Sequence, residues 1–137
     1  MNNVYENYRD AGIKLTPQRL AILKFLEGNT SHPSAEDIFN AIKGDFPTLS
    51  FATVYNTIDS LRKGGRILEL SIDPSRKHYD PNTEPHHHII CSSCGRIGDI
   101  FDDSIEIDLA RLKPAGFTIS SWSLHFSGTC DTCRKRN

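Results

Sequence analysis

Two cysteine pairs of the same spacing constrain this chain more than any other feature. Cys91 and Cys94 form one C-x2-C knuckle, Cys130 and Cys133 a second, and the 137 residues hold no other cysteine. Four thiolates paired in this way suit a tetrahedral Zn2+ ligated by protein alone, the closed arrangement of a structural site. The competing reading is two disulfides or four unrelated thiols. The start Met1-Asn2-Asn3-Val4-Tyr5 carries no apolar leader, so the expected compartment is the reducing cytoplasm, which favours the metal.

A histidine run, His86-His87-His88, lies immediately upstream of the first knuckle and leads into Ile89-Ile90. That pattern predicts a β-strand, in which residues i and i+2 share a face. His86 and His88 then point together and His87 points away. Two imidazoles on one face are half of a metal site, and one chemically distinct from the all-sulfur cluster, because imidazole is a harder ligand than thiolate. His87 is expected as a solvated polar side chain.

Length allows one domain or two small ones. The hydrophobic share of 37% supplies ordinary small cores, and each half would be marginal without a staple. No apolar run approaches the roughly 18 residues of a membrane span. Charge gives no lead on a partner: residues 1–80 carry ten Lys/Arg against ten Asp/Glu, and residues 81–137 carry six against seven. A nucleic-acid binder usually shows a basic excess, so any reading as one must rest on local pattern.

Val4, Tyr8 and Ala11 predict a short opening helix ending at Gly12. Thr16-Pro17 reads as a cap and first helical residue for a helix over 18–27, with Ile22, Leu23 and Leu26 on one side. Ser34 caps a third helix whose Ala35, Ile38, Phe39 and Ile42 form a stripe. A fourth, capped by Ser50 and stopped at Gly64-Gly65, should bury Phe51, Val54, Ile58 and Leu61 and expose Thr53, Asn56, Asp59 and Lys63, with Tyr55 on its flank. Strands over 66–71 and 77–80, joined by Asp73-Pro74-Ser75-Arg76, complete a helices-then-hairpin order. That order fits a winged helix-turn-helix, whose later helix enters the major groove, and fits a generic small helical domain equally. Residues 81–85, polar and bracketed by Pro81 and Pro85, read as a hinge between a domain over 1–80 and one over 86–137. The second domain is expected as strand (86–91), knuckle, strand (96–101), a helix over 102–113 burying Ile105, Leu109 and Leu112, and a strand over 117–126 bulged near Ser120-Ser121. So little α/β structure buries little on its own, so zinc and self-association are expected supplements.

Thr16-Pro17-Gln18-Arg19, His32-Pro33-Ser34-Ala35, Ala52-Thr53-Val54-Tyr55-Asn56 and the His86–Gly95 stretch occur in this order along the chain, which thereby resembles the ferric uptake regulator (Fur) superfamily over nearly its whole length. The resemblance implies an α+β protein: an N-terminal winged helix-turn-helix domain, then a small α/β dimerisation domain with a four-cysteine zinc site. It implies a homodimeric, metal-dependent repressor of double-stranded operator DNA, with structural Zn2+ on Cys91, Cys94, Cys130 and Cys133. Its regulatory Fe2+ or Mn2+ would fall on His32, Asp80, His86, His88 and Asp99. Three neutral imidazoles and two carboxylates then carry a formal −2, which one divalent cation cancels. Two carboxylates about 4 Å apart would otherwise repel by about 4 kcal/mol at an effective dielectric of about 20. For DNA, the resemblance points to Tyr55, Thr53 and Asn56 on the reading helix and to Lys14 near a minor groove. Arg19, Arg62 and Lys63 are expected at phosphates.

Asp80, Asp99 and Asn56 are similar to the peroxide-sensing PerR branch, which implies Fe2+ reducing H2O2 at the site and oxidation of His32 or His86. A further site known in iron sensors would need ligands at Pro85, His87, Glu106 and Trp122, of which only His87 and Glu106 could serve. The alternatives are iron-, zinc-, manganese- or nickel-responsive repression without peroxide chemistry, a zinc-ribbon interaction module, and a metal-dependent hydrolase. The last lacks an H-E-x-x-H motif, a nucleophile elbow or an evident general base.

Overall fold

The computed structural model describes Glu6, Tyr8, Arg9 and residues 14–136. The chain divides into two compact units, Met1–Glu84 and Pro85–Asn137. Of the expected opening helix, Glu6, Tyr8 and Arg9 are helical and Tyr8 is buried, while Val4, Ala11 and Gly12 lie outside the described residues.

The N-terminal unit is built on three helices, α1 (Pro17–Leu26), α2 (Ala35–Ile42) and α3 (Phe51–Lys63), and a two-stranded antiparallel hairpin, β1 (Leu68–Leu70) and β2 (His78–Asp80). Each helix starts where a hydroxyl can accept an otherwise unpaired N–H. Thr16 Oγ1 accepts from Arg19 N at 3.2 Å, and Ser50 Oγ from Thr53 N at 3.2 Å. Ser34 and Asp37 exchange both bonds of a capping box. Helix α3 ends in a Schellman motif: Arg66 N–H reaches Leu61 O at 2.9 Å and Gly65 N–H reaches Arg62 O at 3.1 Å. Gly65 sits at φ +69°, where a side chain would be strained.

The apolar stripes of α1, α2 and α3 meet in one core with Tyr8, Ile22, Leu23, Ile38, Val54 and Ile58 at its centre, closed by Ile67 and Tyr79 from the hairpin side. Phe51 departs from expectation. It lies at the first position of α3, stays 44% exposed, and stacks on Phe39 with ring centroids 4.0 Å apart instead of entering the core. The hairpin strands are shorter than their apolar runs, because pairing covers only Leu68↔Asp80 to Leu70↔His78.

Strand β2 is also tied back to the segment before α2. Tyr79 N–H bonds Pro33 O at 2.9 Å, and Ser34 bridges His78. The turn into β2 is fixed by Asp73, whose Oδ1 accepts the Ser75 N–H at 2.9 Å and hydroxyl at 2.8 Å while Oδ2 lies 2.8 Å from His78 Nε2. Beyond β2, Asp80 Oδ1 accepts from Asn82 N and Asn82 Oδ1 from Glu84 N, successive side-chain turns that hold the 81–84 segment in irregular structure.

The C-terminal unit is a three-stranded sheet of order β4-β3-β5, with β3 (His87–Cys91) central, β4 (Ile97–Ile100) antiparallel to it and β5 (His125–Gly128) parallel, followed by a short helix α4 (Asp131–Arg136). Two expectations fail here. Residues 102–113 form a single 3-10 turn, Leu109–Arg111, rather than a helix. Asp102 accepts both the N–H and the hydroxyl of Ser104, and Asp108 accepts Ala110 N–H, so local side chains capture amides a helix needs. Leu112 is accordingly 51% exposed. The strand over 117–126 also fails, along with its bulge: only His125–Gly128 pairs, the serine-rich 120–123 segment pairs with nothing as a strand, and Phe117 is 79% exposed. Helix α4, not anticipated, shows acid first and base last in Asp131 and Arg134-Lys135-Arg136, the same charge order that residues 102–113 carry without forming a helix.

The Asp73 carboxyl is pulled well below the usual carboxylate range, first by its bond to His78 and then by Ser75. A carboxyl acidified by folding stabilises the native state above its unfolded pKa of about 3.9, and the contribution is lost as pH falls through the lower folded value. Asp73→Asn should therefore melt below the unchanged chain at about pH 6–7, with the gap narrowing from about pH 4 downward, in thermal denaturation followed by circular dichroism. A gap independent of pH would count against this role.

Candidate metal centres

The sulfurs of Cys91, Cys94, Cys130 and Cys133 lie within 4.8 Å of one another. Cys91 ends β3, a turn carries Cys94, the β5–α4 junction carries Cys130, and Cys133 stands in the first turn of α4. The Cys94 and Cys130 sulfurs are 3.7 Å apart. Sulfurs at the usual Zn–S bond of about 2.3 Å sit about 3.8 Å apart on a tetrahedron, so this edge already has the length a zinc ion imposes. Backbone donors support the charge: Cys130 N–H points to Cys91 Sγ at 3.3 Å and lowers its pKa to about 6, with Cys94 N–H adding to the effect. The N–H of Cys133 lowers Cys130 in the same way. Cys133 is pushed up to about 12, because the Cys130 and Cys94 sulfurs hold its proton. The cluster suits a structural zinc ion, which would take the place of that proton.

In the N-terminal unit, His32 Nε2 lies 3.4 Å from Asp80 Oδ2, and both side chains are almost wholly buried. His32 is the only described non-glycine residue with positive φ, +54°. Such a backbone costs about 1–3 kcal/mol and persists where surrounding structure enforces it, commonly at functional sites. In the C-terminal unit, Asp99 Oδ1 lies 3.1 Å from His86 Nε2 and 3.4 Å from His88 Nε2. Cross-strand pairing of His88 with Asp99 brings this group together, and Phe101 stacks on His86 with centroids 5.0 Å apart. Donor atoms bound at about 2.1 Å to one cation are about 3.0 Å apart in an octahedron and about 3.4 Å in a tetrahedron. Within each unit the spacings fit nitrogen and oxygen ligands sharing one divalent ion.

His87 turns to the other face, as strand parity requires, but it is not simply solvated. Its Nδ1 accepts Leu124 N–H at 3.1 Å, and its ring stacks on Trp122 at 5.4 Å. His78 and Asp73 were not singled out from sequence. The available signal was that His78 stands two residues before Asp80 and so shares its strand face.

The residues expected at DNA lie on the N-terminal unit. Lys14, Arg19 and Thr53 line one open groove of about 590 Å³, where the Arg19 guanidinium donates to Lys14 O at 2.8 Å. Tyr55 is 51% exposed and Asn56 is also exposed on α3. Arg62 and Lys63 both pair with Asp59, at 2.7 and 2.9 Å.

Elemental analysis should find one zinc retained per chain, and Cys94→Ser should lose it. Because Cys133 keeps its proton in the metal-free cluster, reloading zinc at neutral pH should release at least one proton per ion, read with a pH indicator in weak buffer. Zinc uptake without proton release would contradict the assignment.

Residues 10–127 match the Ferric uptake regulator family. The chain is 35% identical over 137 residues to the peroxide operon regulator of Bacillus subtilis, covering 99% of this chain and 94% of that protein. It is 36% identical over 129 residues to the peroxide-responsive repressor PerR of Staphylococcus aureus, covering 93% and 87%. Among solved structures, the Helicobacter pylori ferric uptake regulator Fur, described with three functional metal binding sites, superposes with a TM-score of 0.78 at 25% identity, covering 97% of this chain and 95% of that one. With the family matched over residues 10–127 and relatives 35–36% identical over nearly the whole chain, the chain belongs to the ferric uptake regulator family and is a metal-responsive regulator rather than an enzyme.

Proposed function

We propose that this protein is a homodimeric repressor of double-stranded operator DNA whose binding is set by a divalent cation shared by His32, Asp80, His86, His88 and Asp99, and relieved by peroxide. The observation that carries the reading is the pair of buried carboxylate–imidazole groups, His32 with Asp80 and His86/His88 with Asp99, each assembled within its own unit at metal-ligand spacing. One cation engaging both groups would cancel their −2 and restrain the hinge over 81–85. In a dimer this fixes the separation of two α3 helices against successive half-sites. By linkage, operator DNA tightens metal binding by the factor with which metal tightens DNA binding.

Nitrogen and oxygen ligands without sulfur favour Fe2+ or Mn2+ over a soft metal. The helices-then-hairpin order supports a winged helix-turn-helix, with Thr53, Tyr55 and Asn56 reading bases and Lys14, Arg19 and Arg62 on the backbone. Phe101, Leu112, Phe117, Trp122 and Phe126, the large exposed apolar side chains described on the C-terminal unit, support association with a second copy.

The relatives named for peroxide response support the finer reading. Bound Fe2+ would supply the reduction of H2O2. The chain's part is to hold the rings of His32 and His86 beside that chemistry, and oxidation of either ring removes an imidazole donor and frees the hinge. An iron- or manganese-responsive repressor without this step is the alternative.

Operator binding should require Fe2+ or Mn2+ and weaken steeply with salt in mobility-shift assays. After low H2O2, the iron-loaded protein alone should leave DNA, with a one-oxygen mass gain on the peptide holding His32 or His86. Equal release with either metal and unmodified histidines would remove the peroxide step and leave metal-responsive repression. Binding indifferent to metal would remove both.

A further inference from the structure

We infer that His78 and Asp73 are positioning residues for the His32 ligand: their hydrogen-bond chain sets the backbone of residue 32 so that its ring meets Asp80. The inference rests on the regulatory site proposed above and adds two residues to it, neither of them a ligand. Residue 32 precedes Pro33, so its backbone is restricted by the proline ring as well as by its own side chain, and yet it adopts φ +54°.

The orientation of the His32 carbonyl fixes the remaining backbone torsion of that residue. This carbonyl is held by His78 Nδ1, 2.7 Å away and buried. The other nitrogen of the same ring is 2.8 Å from Asp73 Oδ2, and Asp73 is itself held through Oδ1 by the N–H and hydroxyl of Ser75. One buried imidazole ring therefore spans from the turn at Asp73 to the turn at His32, with a nitrogen on each.

Strand geometry explains why these residues serve together. His78 and Asp80 are two apart on β2 and share one face. The first grips the backbone of residue 32, and the second lies 3.4 Å from its ring. Between them, Tyr79 N–H holds Pro33 O at 2.9 Å. Three consecutive residues of one strand therefore fix His32 from its ring, its carbonyl and its successor. Partners standing one step behind metal ligands typically alter metal affinity about 10–100-fold when removed.

The test uses the full-length, zinc-loaded protein and Mn2+ alone as probe, with free Mn2+ read by electron paramagnetic resonance. His78→Gln keeps one amide donor for two acceptors and should weaken Mn2+ binding by about 10-fold or more. Asp73→Asn, a near-isosteric change, should weaken it in the same direction and provides the second variant if His78→Gln fails to fold. In a His32→Ala background either change should add nothing, because its route of action is already gone. Equal losses with and without His32 would mean that His78 and Asp73 support the unit generally, and would overturn the positioning role. If His32→Ala itself leaves Mn2+ affinity unchanged, the regulatory ligand set fails, and the inference fails with it.

Discussion

Four sulfur atoms within 4.8 Å of one another are a dense knot of polarisable, partly ionised groups for a unit with three short strands and one six-residue helix. Without a cation the knot is internally opposed: backbone N–H groups favour the Cys91 thiolate, while Cys133 keeps a proton shared with neighbouring sulfurs. A dication held by Cys91, Cys94, Cys130 and Cys133 would resolve the opposition and join the end of β3 to the start of α4. Cross-linking through a metal would supply what apolar burial within the unit does not, since Phe117, Leu112 and Phe101 are left exposed on its surface. The same strand that ends at Cys91 carries His88, whose register is set by pairing with Asp99 on β4 and His125 on β5.

The N-terminal unit solves a different problem. It keeps an imidazole and a carboxylate buried side by side, which costs free energy unless both find partners. The two lie 3.4 Å apart, Asp80 also accepts the Asn82 N–H, and the backbone behind the His32 ring is held by a chain of bonds that runs from Ser75 and Asp73 through His78 to the His32 carbonyl. The helical core supplies rigidity behind this chain, and the hairpin supplies its alignment. The pairing of β2 with the segment before α2 matters more to the site than its pairing with β1, because it brings residues 32–34 and 78–80 together.

Much of this was legible in the sequence. The helices of the first unit were marked by Thr16-Pro17, Ser34, Ser50 and Gly64-Gly65, local signals that act through local hydrogen bonds, and their bounds hold to within a residue. Strand parity put His86 and His88 on one face, whereas His32, Asp80 and Asp99 entered only through the family resemblance. Residues 102–128 were the least legible. There Asp102 and Asp108 could serve as helix caps or as local turn-formers, and the outcome turned on which amides their carboxylates captured. Phe51 was misplaced for a related reason: at the first turn of a helix, position on the stripe does not determine whether a ring enters the core or stacks beside it. His78 escaped notice because its partner is a backbone carbonyl 46 residues away, and no side-chain pattern records such a contact.

The central strand of the C-terminal unit, with the residue that leads into it, carries two kinds of donor with opposite parity. His86 and His88 occupy even positions, and Cys91, three beyond His88, falls on the odd face with His87 and Ile89. The sheet itself therefore acts as a partition between imidazole and thiolate. A metal seated among the sulfurs cannot recruit these imidazoles, and a metal held by the imidazoles cannot be drawn off by Cys91, without breaking the pleat. Length changes between His88 and Cys91 would be tolerated only in pairs of residues, since a single insertion would put sulfur and nitrogen on one side and merge two sites that differ in hardness.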